Sequence, residues 1–135
     1  MRTWIVPSNP KRFRLMDCLK INDCVYWVQH VNFKIGDTLF IYTSAPYSKI
    51  MFEMEVVEVD LPYGYYIKDE EYWVHPSDFE AGKRNNRYCK FKFVRRIESA
   101  SLHLYDLYEH GLKAAPQTPQ ANIPKSLLDY IESQL

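Results

Sequence analysis

Trp27 sits among polar residues, with Gln29 and Asn32 close behind it and Ser44, Pro46 and Tyr47 beyond the next apolar run. An indole outside a core can stack on a flat ring and donate one hydrogen bond. Side-chain amides such as those of Gln29 and Asn32 can read the donor and acceptor edge of a nucleobase. Ser8 and Asn9 close the first apolar segment and Ser44 closes a later one, so each can present a polar group where a strand leaves the core. Every one of these residues also has a plainer role open to it. Trp27 can fold back as a lid on the core, Gln29 and Asn32 can belong to a solvated loop, and Ser8 and Asn9 can cap a helix.

The second candidate surface is basic. Lys83, Arg84, Arg87, Lys90, Lys92, Arg95 and Arg96 follow one another with no acid between them. They can contact phosphates, or they can solvate an exposed strand and guard it against edge pairing. From Glu53 to Glu80 the chain is mostly acidic, with Lys68 its only base. The totals are 17 basic and 17 acidic residues, a net charge of zero. That sum argues against a strong non-specific nucleic-acid binder, although uneven charge can still make a basic face.

The residues for catalysis are not assembled in the same way. Tyr47-Ser48-Lys49 puts a serine beside a lysine, but adjacent strand residues point to opposite faces. No glycine-rich phosphate loop, nucleophile elbow or metal-ligand spacing occurs. Asp17, Asp23 and Cys24 have no supporting partners nearby, and turn formation accounts for Asp37 after Gly36. Cys18, Cys24 and Cys89 are an odd set without paired spacing, which argues against a disulfide framework. His30, His75, His103 and His110 are scattered, and surface or half-buried roles suit them better than a metal site. The expectation is a protein with no catalytic residues, no metal and no cofactor.

The elements that would position these residues are legible in outline. Thr3 to Val6 reads as a short strand closed by Pro7, and Ser8-Asn9-Pro10 as a turn opening a helix from Lys11 to Lys20. Asn22-Asp23 breaks that helix, and a loop carries Tyr26, Trp27 and Gln29. Gly36-Asp37 turns into a strand from Thr38 to Thr43, whose consecutive Leu39, Phe40 and Ile41 suit burial on both faces. A long alternating strand spans about Ile50 to Val59. Pro62 to Phe79 has no clear period and reads as an aromatic excursion with at most a short strand. Gly82 to Arg87 reads as a turn, and Tyr88 to Ile97 alternates again. Ser99 or Ser101 can cap a helix that runs to His110 and stops at Gly111. A linker from Ala114 to Asn122 precedes a last helix opened by Pro124, docking through Leu127, Leu128 and Ile131. The 135 residues suit one α+β domain, a small and partly open β-barrel of mostly antiparallel strands decorated by helices. No apolar signal region or run long enough to span a bilayer occurs, so a cytoplasmic protein is expected.

Taken in order, Trp4-Ile5-Val6-Pro7-Ser8-Asn9-Pro10, then Trp27, then Gly36-Asp37-Thr38-Leu39-Phe40-Ile41-Tyr42, then Ser44-Ala45-Pro46, resemble the EVE domain. That family is a branch of the PUA-like superfamily, which also holds the YTH and ASCH domains. The resemblance covers most of the chain, firmly from Trp4 to about Asp60. It implies a pseudo-barrel of five or six strands with flanking helices. It also implies a pocket for a flipped, modified base in DNA or RNA, such as a methylated cytosine. Carried over, Trp27 would be a pocket wall, Ser8 and Asn9 would lie at the rim, and Tyr42 with Ser44 to Tyr47 would shape the floor or opposite wall. The linker near Gln117 to Gln120 stands where the family closes the pocket.

Four functions follow from these residues. The first is a non-catalytic module that binds nucleic acid carrying a modified base, with an effector protein as a further partner. The second is a small-molecule or nucleotide sensor using the same pocket, which zero net charge favours. The third is an enzyme on RNA or a nucleotide. The fourth is a protein-interaction domain using an exposed strand or the aromatic Tyr63–Trp73 segment.

Overall fold

The computed structural model describes residues 1–64 and 66–135. Its centre is a five-stranded sheet. In chain order the strands are β1 (Thr3–Ser8), β2 (Cys24–Val28), β3 (Thr38–Thr43), β4 (Lys49–Leu61) and β5 (Tyr88–Arg96). Four α-helices join them: α1 (Leu15–Leu19), α2 (Pro76–Asn85), α3 (Leu104–Glu109) and α4 (Lys125–Ser133). The sheet order is β1-β3-β4-β5-β2. Only β1 and β3 run parallel; the other three ladders are antiparallel.

β3 lies inside the sheet, between β1 and β4, and is apolar on both faces. Leu39 and Ile41 join one core with Trp4, Val6, Phe52, Met54 and Phe91. Phe40 and Tyr42 point into a second core with Ile5 and Ile50, roofed by Leu107 of α3 and by Leu127 and Ile131 of α4. The unbroken apolar run predicted this arrangement. The turn before β3 also forms as expected: Gly36 has φ +95°, a conformation that favours glycine. Gly111, at φ +118°, follows the end of α3 in the same way.

β4 is long and its register to β5 slips at Glu53/Met54, Val56/Glu58 and Glu58/Leu61. Such irregularities bend a strand and raise its twist. The sheet therefore curls, and its two edge strands, β1 and β2, border one hollow (below). It does not close. The outer edge of β1 is covered instead by Gln120, which exchanges two backbone hydrogen bonds of 2.9 Å with Ile5. This is how the C-terminal linker meets the sheet, and Gln117 to Gln120 line neither of the hollows described below.

Several local expectations change. Trp27 is not in a loop; it lies in β2, paired with Cys89 across the ladder to β5. The strand is short, and polar residues on both sides mask it in the sequence. The first helix is only Leu15–Leu19. Phe13 instead bridges Trp73, and the N–H of Arg14 donates to the Tyr72 carbonyl at 2.8 Å, so tertiary pairing holds that stretch out of the helix. Gly82 to Arg87 is not a turn, because α2 continues to Asn85 and ends on Asn86 at φ 50°. Its buried residues are only Phe79 and Gly82, too few to give the sequence a visible period. Of the Pro62–Phe79 excursion, Glu70–Tyr72 forms a 3₁₀ turn and Pro76 opens α2. Tyr65 lies outside the described residues. The helix after β5 is capped by His103, with Asp106 completing the box, rather than by Ser99 or Ser101.

Candidate functional site

A hollow of about 300 Å³ opens between the edges of the sheet, at the lower end of the range for small-ligand sites. Ser8 and Asn9 enter it from the end of β1, Tyr26, Trp27 and Val28 from β2, and Asp78, Ala81, Gly82 and Asn85 from α2. Arg12, Phe13, His30 and Trp73 complete it.

Its walls are aromatic because of one buried ring. Phe13 meets Trp27 edge-on at 5.9 Å and Trp73 at 5.0 Å, so it braces both indoles. Behind Trp27 lies Phe91, stacked at 5.7 Å and 30°. The Trp73 indole N–H donates to Asp69 Oδ1 at 3.3 Å. Gly82 lets α2 come close to β2: a Cβ there would sit 3.3 Å from Val28 Cγ2 and 3.0 Å from the Tyr88 hydroxyl. Burial pushes that hydroxyl's pKa up to about 12, so it stays protonated.

The polar groups form a mixed set. Among the described residues, neither the Asp78 carboxylate nor the Arg12 guanidinium has a side-chain hydrogen bond or ion pair. Asn9 accepts at Oδ1 from the Lys11 N–H at 3.0 Å, which turns the chain and leaves its NH₂ group open. Asn85 donates to the Ala81 carbonyl at 3.2 Å, leaving its own side-chain oxygen. Such a site can clamp a flat ring and match both donors and acceptors on its edge.

The residues singled out in the sequence do not all gather here. Trp27, Ser8 and Asn9 do. Gln29 is 3% exposed, and its amide is spent on the Val31 carbonyl at 3.0 Å and the Asp60 N–H at 2.8 Å. It pins the end of β2 to the end of β4 and has no edge left for a base. Asn32 accepts from Arg87 at 2.8 Å, outside the hollow. Tyr42 is packed in the second core, on the other face of β3. Ser44 clamps the Ser8 carbonyl through its N–H and hydroxyl at 3.0 and 3.3 Å, so it positions Ser8 and does not line the cavity. Pro46 is exposed in the β3–β4 turn, and Tyr47 borders a different hollow.

The basic run is split by the fold. Lys83 and Arg84 are on α2, and Lys83 pairs with Glu80 at 2.9 Å while lying over the Phe79 ring. Arg87 pairs with Asp60 at 2.8 Å. Lys90 does not line the hollow but lies 5.5 Å from the centre of the ring of Tyr26, which does, and Lys92 is exposed further along β5. Arg95 and Arg96 pair with Glu53 and Glu98.

Trp73, Phe13, Asp78 and Arg12 escaped the sequence reading. Trp73 stands in a stretch without period, and only its bridge to Phe13 brings it here. The one usable sign was the Pro76-Ser77-Asp78 helix opening, which places an acid in a first turn. Cys18 and Cys89 are poor nucleophiles: burial pushes their thiols up to about 11 and about 12.

No family model matches the chain, and no curated protein sequence does. Solved structures do match it. An ASCH protein from Zymomonas mobilis superposes with a TM-score of 0.71 at 11% identity, over 98% of this chain and 94% of that one. The chain has the ASCH/EVE fold of the PUA-like class. Human THYN1, solved in complex with 5-methylcytosine-containing DNA, shares this fold at a TM-score of 0.66 and 16% identity, over 98% and 96% of the two chains. A hypothetical protein from Leishmania major does so at 0.63 and 20%, over 98% and 93%. The ASCH/EVE fold is what the order of motifs from Trp4 to Pro46 had implied.

Proposed function

We propose that the hollow between Trp27 and Trp73 takes one modified base, flipped out of a nucleic-acid strand, and that the protein reads this base without acting on it. The observation that carries the reading is the pair of indoles braced by Phe13 around a 300 Å³ cavity with an unpaired carboxylate. THYN1, which shares the fold, was solved with 5-methylcytosine-containing DNA, and this supports methylated cytosine as the first base to test. Flipping costs a few kcal/mol, and stacking on an indole returns about 1–3 kcal/mol per base. Arg12, Arg84 and Lys90 stand ready to meet phosphates. Tryptophan fluorescence, titrated with single- and double-stranded oligonucleotides with and without 5-methylcytosine at two salt concentrations, tests the reading. Stronger quenching by the methylated probe, weakened by salt, is expected. Equal response to methylated and plain probes would refute it.

Asp78 sets the expected base class. A carboxylate accepts from the exocyclic amine of cytosine and repels the carbonyl that thymine carries in its place. Thymine keeps the 5-methyl group, so the two probes isolate this contact. The protein should prefer 5-methylcytosine to thymine by about tenfold or more, since one good edge contact discriminates by about 1–3 kcal/mol. Asp78→Asn should erase most of that preference while leaving thymine affinity equal or better. Competition in fluorescence anisotropy measures it.

A sensor for a free nucleotide or small molecule is the second reading. The zero net charge favours it, and so do the ion pairs that occupy Lys83, Arg87, Arg95 and Arg96. Salt separates the two, because binding through several phosphates weakens steeply as salt rises.

A further inference from the structure

A second hollow, of about 380 Å³, adjoins the first. Ser8 and Phe13 line both, so they form the partition between them. Thr43, at the end of β3, lines the second hollow and is 3% exposed, yet its hydroxyl has no hydrogen-bond partner among the described residues. Buried hydroxyls are nearly always paired, and valine would fill the same space without the cost. Tyr47 stands at the rim with an exposed ring. Arg14 and Lys20 stand on the α1 side. Arg14 uses one N–H on the Glu71 carbonyl, and Lys20 contacts Asp17 at 3.3 Å in a solvent-exposed pair of little strength. An aromatic face, an unsatisfied hydroxyl and two accessible cations thus surround a cavity one partition away from the base site.

We infer that this second hollow holds the nucleotide next to the flipped base. A base inserted beside Trp27 brings its neighbours to the rim on either side, joined by one phosphodiester each. Because Ser8 and Phe13 line both hollows, one of those neighbours meets the second. Its base stacks on Tyr47, the Thr43 hydroxyl pairs with a polar atom of the same nucleotide, and the linking phosphate lies toward Arg14 and Lys20. Asp17 lines the same hollow, and its contact with Lys20 at 3.3 Å offsets its charge there. The protein then recognises a dinucleotide step, and the neighbour contributes affinity whatever its modification. This inference rests on the base-reading function proposed above.

The test compares 5-methyl-deoxycytidine monophosphate with dinucleotides extending it on the 5′ or the 3′ side, by tryptophan fluorescence on the intact protein. One of the two extensions should strengthen binding by about tenfold, the yield of one stacked base. Tyr47→Ala should remove that gain and leave the mononucleotide affinity within about twofold. Thr43→Val should also reduce the gain while its thermal midpoint stays level or rises, because the hydroxyl it loses has no hydrogen-bond partner among the described residues. A mononucleotide that binds but gains nothing from either neighbour overturns this inference alone. A dinucleotide gain that survives in Tyr47→Ala overturns it too. Failure of mononucleotide and dinucleotides alike overturns the base-reading proposal, and this inference with it.

Discussion

Trp27→Ala should weaken binding of a methylated oligonucleotide by roughly 5- to 150-fold, the equivalent of about 1–3 kcal/mol of lost stacking. The effect on an unmodified strand held only by phosphate contacts should be small, so selectivity collapses with affinity. The variant also loses stability. Trp27 covers Phe91 and touches Phe13, and its removal opens a gap between them. Full Trp-to-Ala truncation in a core costs about 3–5 kcal/mol, and for a half-buried indole about 2 kcal/mol is the reasonable figure. The affinity is therefore read only on protein shown to be folded by circular dichroism. Trp27→Phe keeps a flat ring against Phe91 and should fall between the two. Trp73→Ala removes the other wall and should match Trp27→Ala in binding while disturbing a different set of contacts, those to Phe13 and Asp69. If folded Trp27→Ala and Trp73→Ala both retain the methylation preference of the parent, the cavity between them is not the reading site.

What could be seen in the sequence divides along a physical line. Features set by local periodicity or by a single backbone requirement were visible: the two-faced strand with Leu39, Phe40 and Ile41, the left-handed Gly36, and the amphipathic last helix with Leu127 and Ile131. The ordered motifs from Trp4 to Pro46 pointed to the right fold although the three solved structures compared above are only 11–20% identical to the chain. Features made by long-range pairing were hidden. Phe13 looked like part of a helix stripe, but it serves as the partition between two hollows because Trp73 and Tyr72 hold the chain extended there. That partition separates Trp27 from Tyr47, which the resemblance to the EVE domain had implied would share one pocket. Gln29 looked free and is consumed by backbone groups of Val31 and Asp60, a fact only the approach of β4 to the end of β2 decides. Its burial shows why side-chain type alone is a poor guide: an amide that can read a base can equally satisfy two buried backbone groups.

Asp37 gives the largest expected effect on folding, well beyond the turn that its place after Gly36 suggested. It is fully buried, and its carboxylate accepts from the Arg2 N–H at 3.0 Å, the Lys34 N–H at 2.9 Å and the Trp4 indole at 2.9 Å. Burial on its own would raise its pKa; the bonds from Lys34, Arg2 and Trp4 outweigh it and hold the carboxyl below its usual range. A carboxyl with a depressed folded pKa stabilises the protein above its unfolded pKa of about 3.9, and that contribution is lost as pH falls through the folded value. Asp37→Ala strands three donors, one of them a buried indole, and should cost about 3 kcal/mol, or about 10 °C in the thermal midpoint. Asp37→Asn keeps the shape but turns an NH₂ group toward donors, and should cost about 1–2 kcal/mol. Both variants should lose less stability than the parent between pH 5 and the acid limit, and an acid slope in Asp37→Asn equal to the parent's would show that this carboxyl is not its source. The consequence reaches the cavity. Trp4, held by Asp37, packs edge-on against Phe33 at 4.9 Å, Phe33 against Phe91 at 5.5 Å, and Phe91 backs Trp27 at 5.7 Å. Loosening the first ring should loosen the last, so Asp37→Asn, still folded at neutral pH, should bind the methylated probe more weakly although Asp37 lines neither hollow.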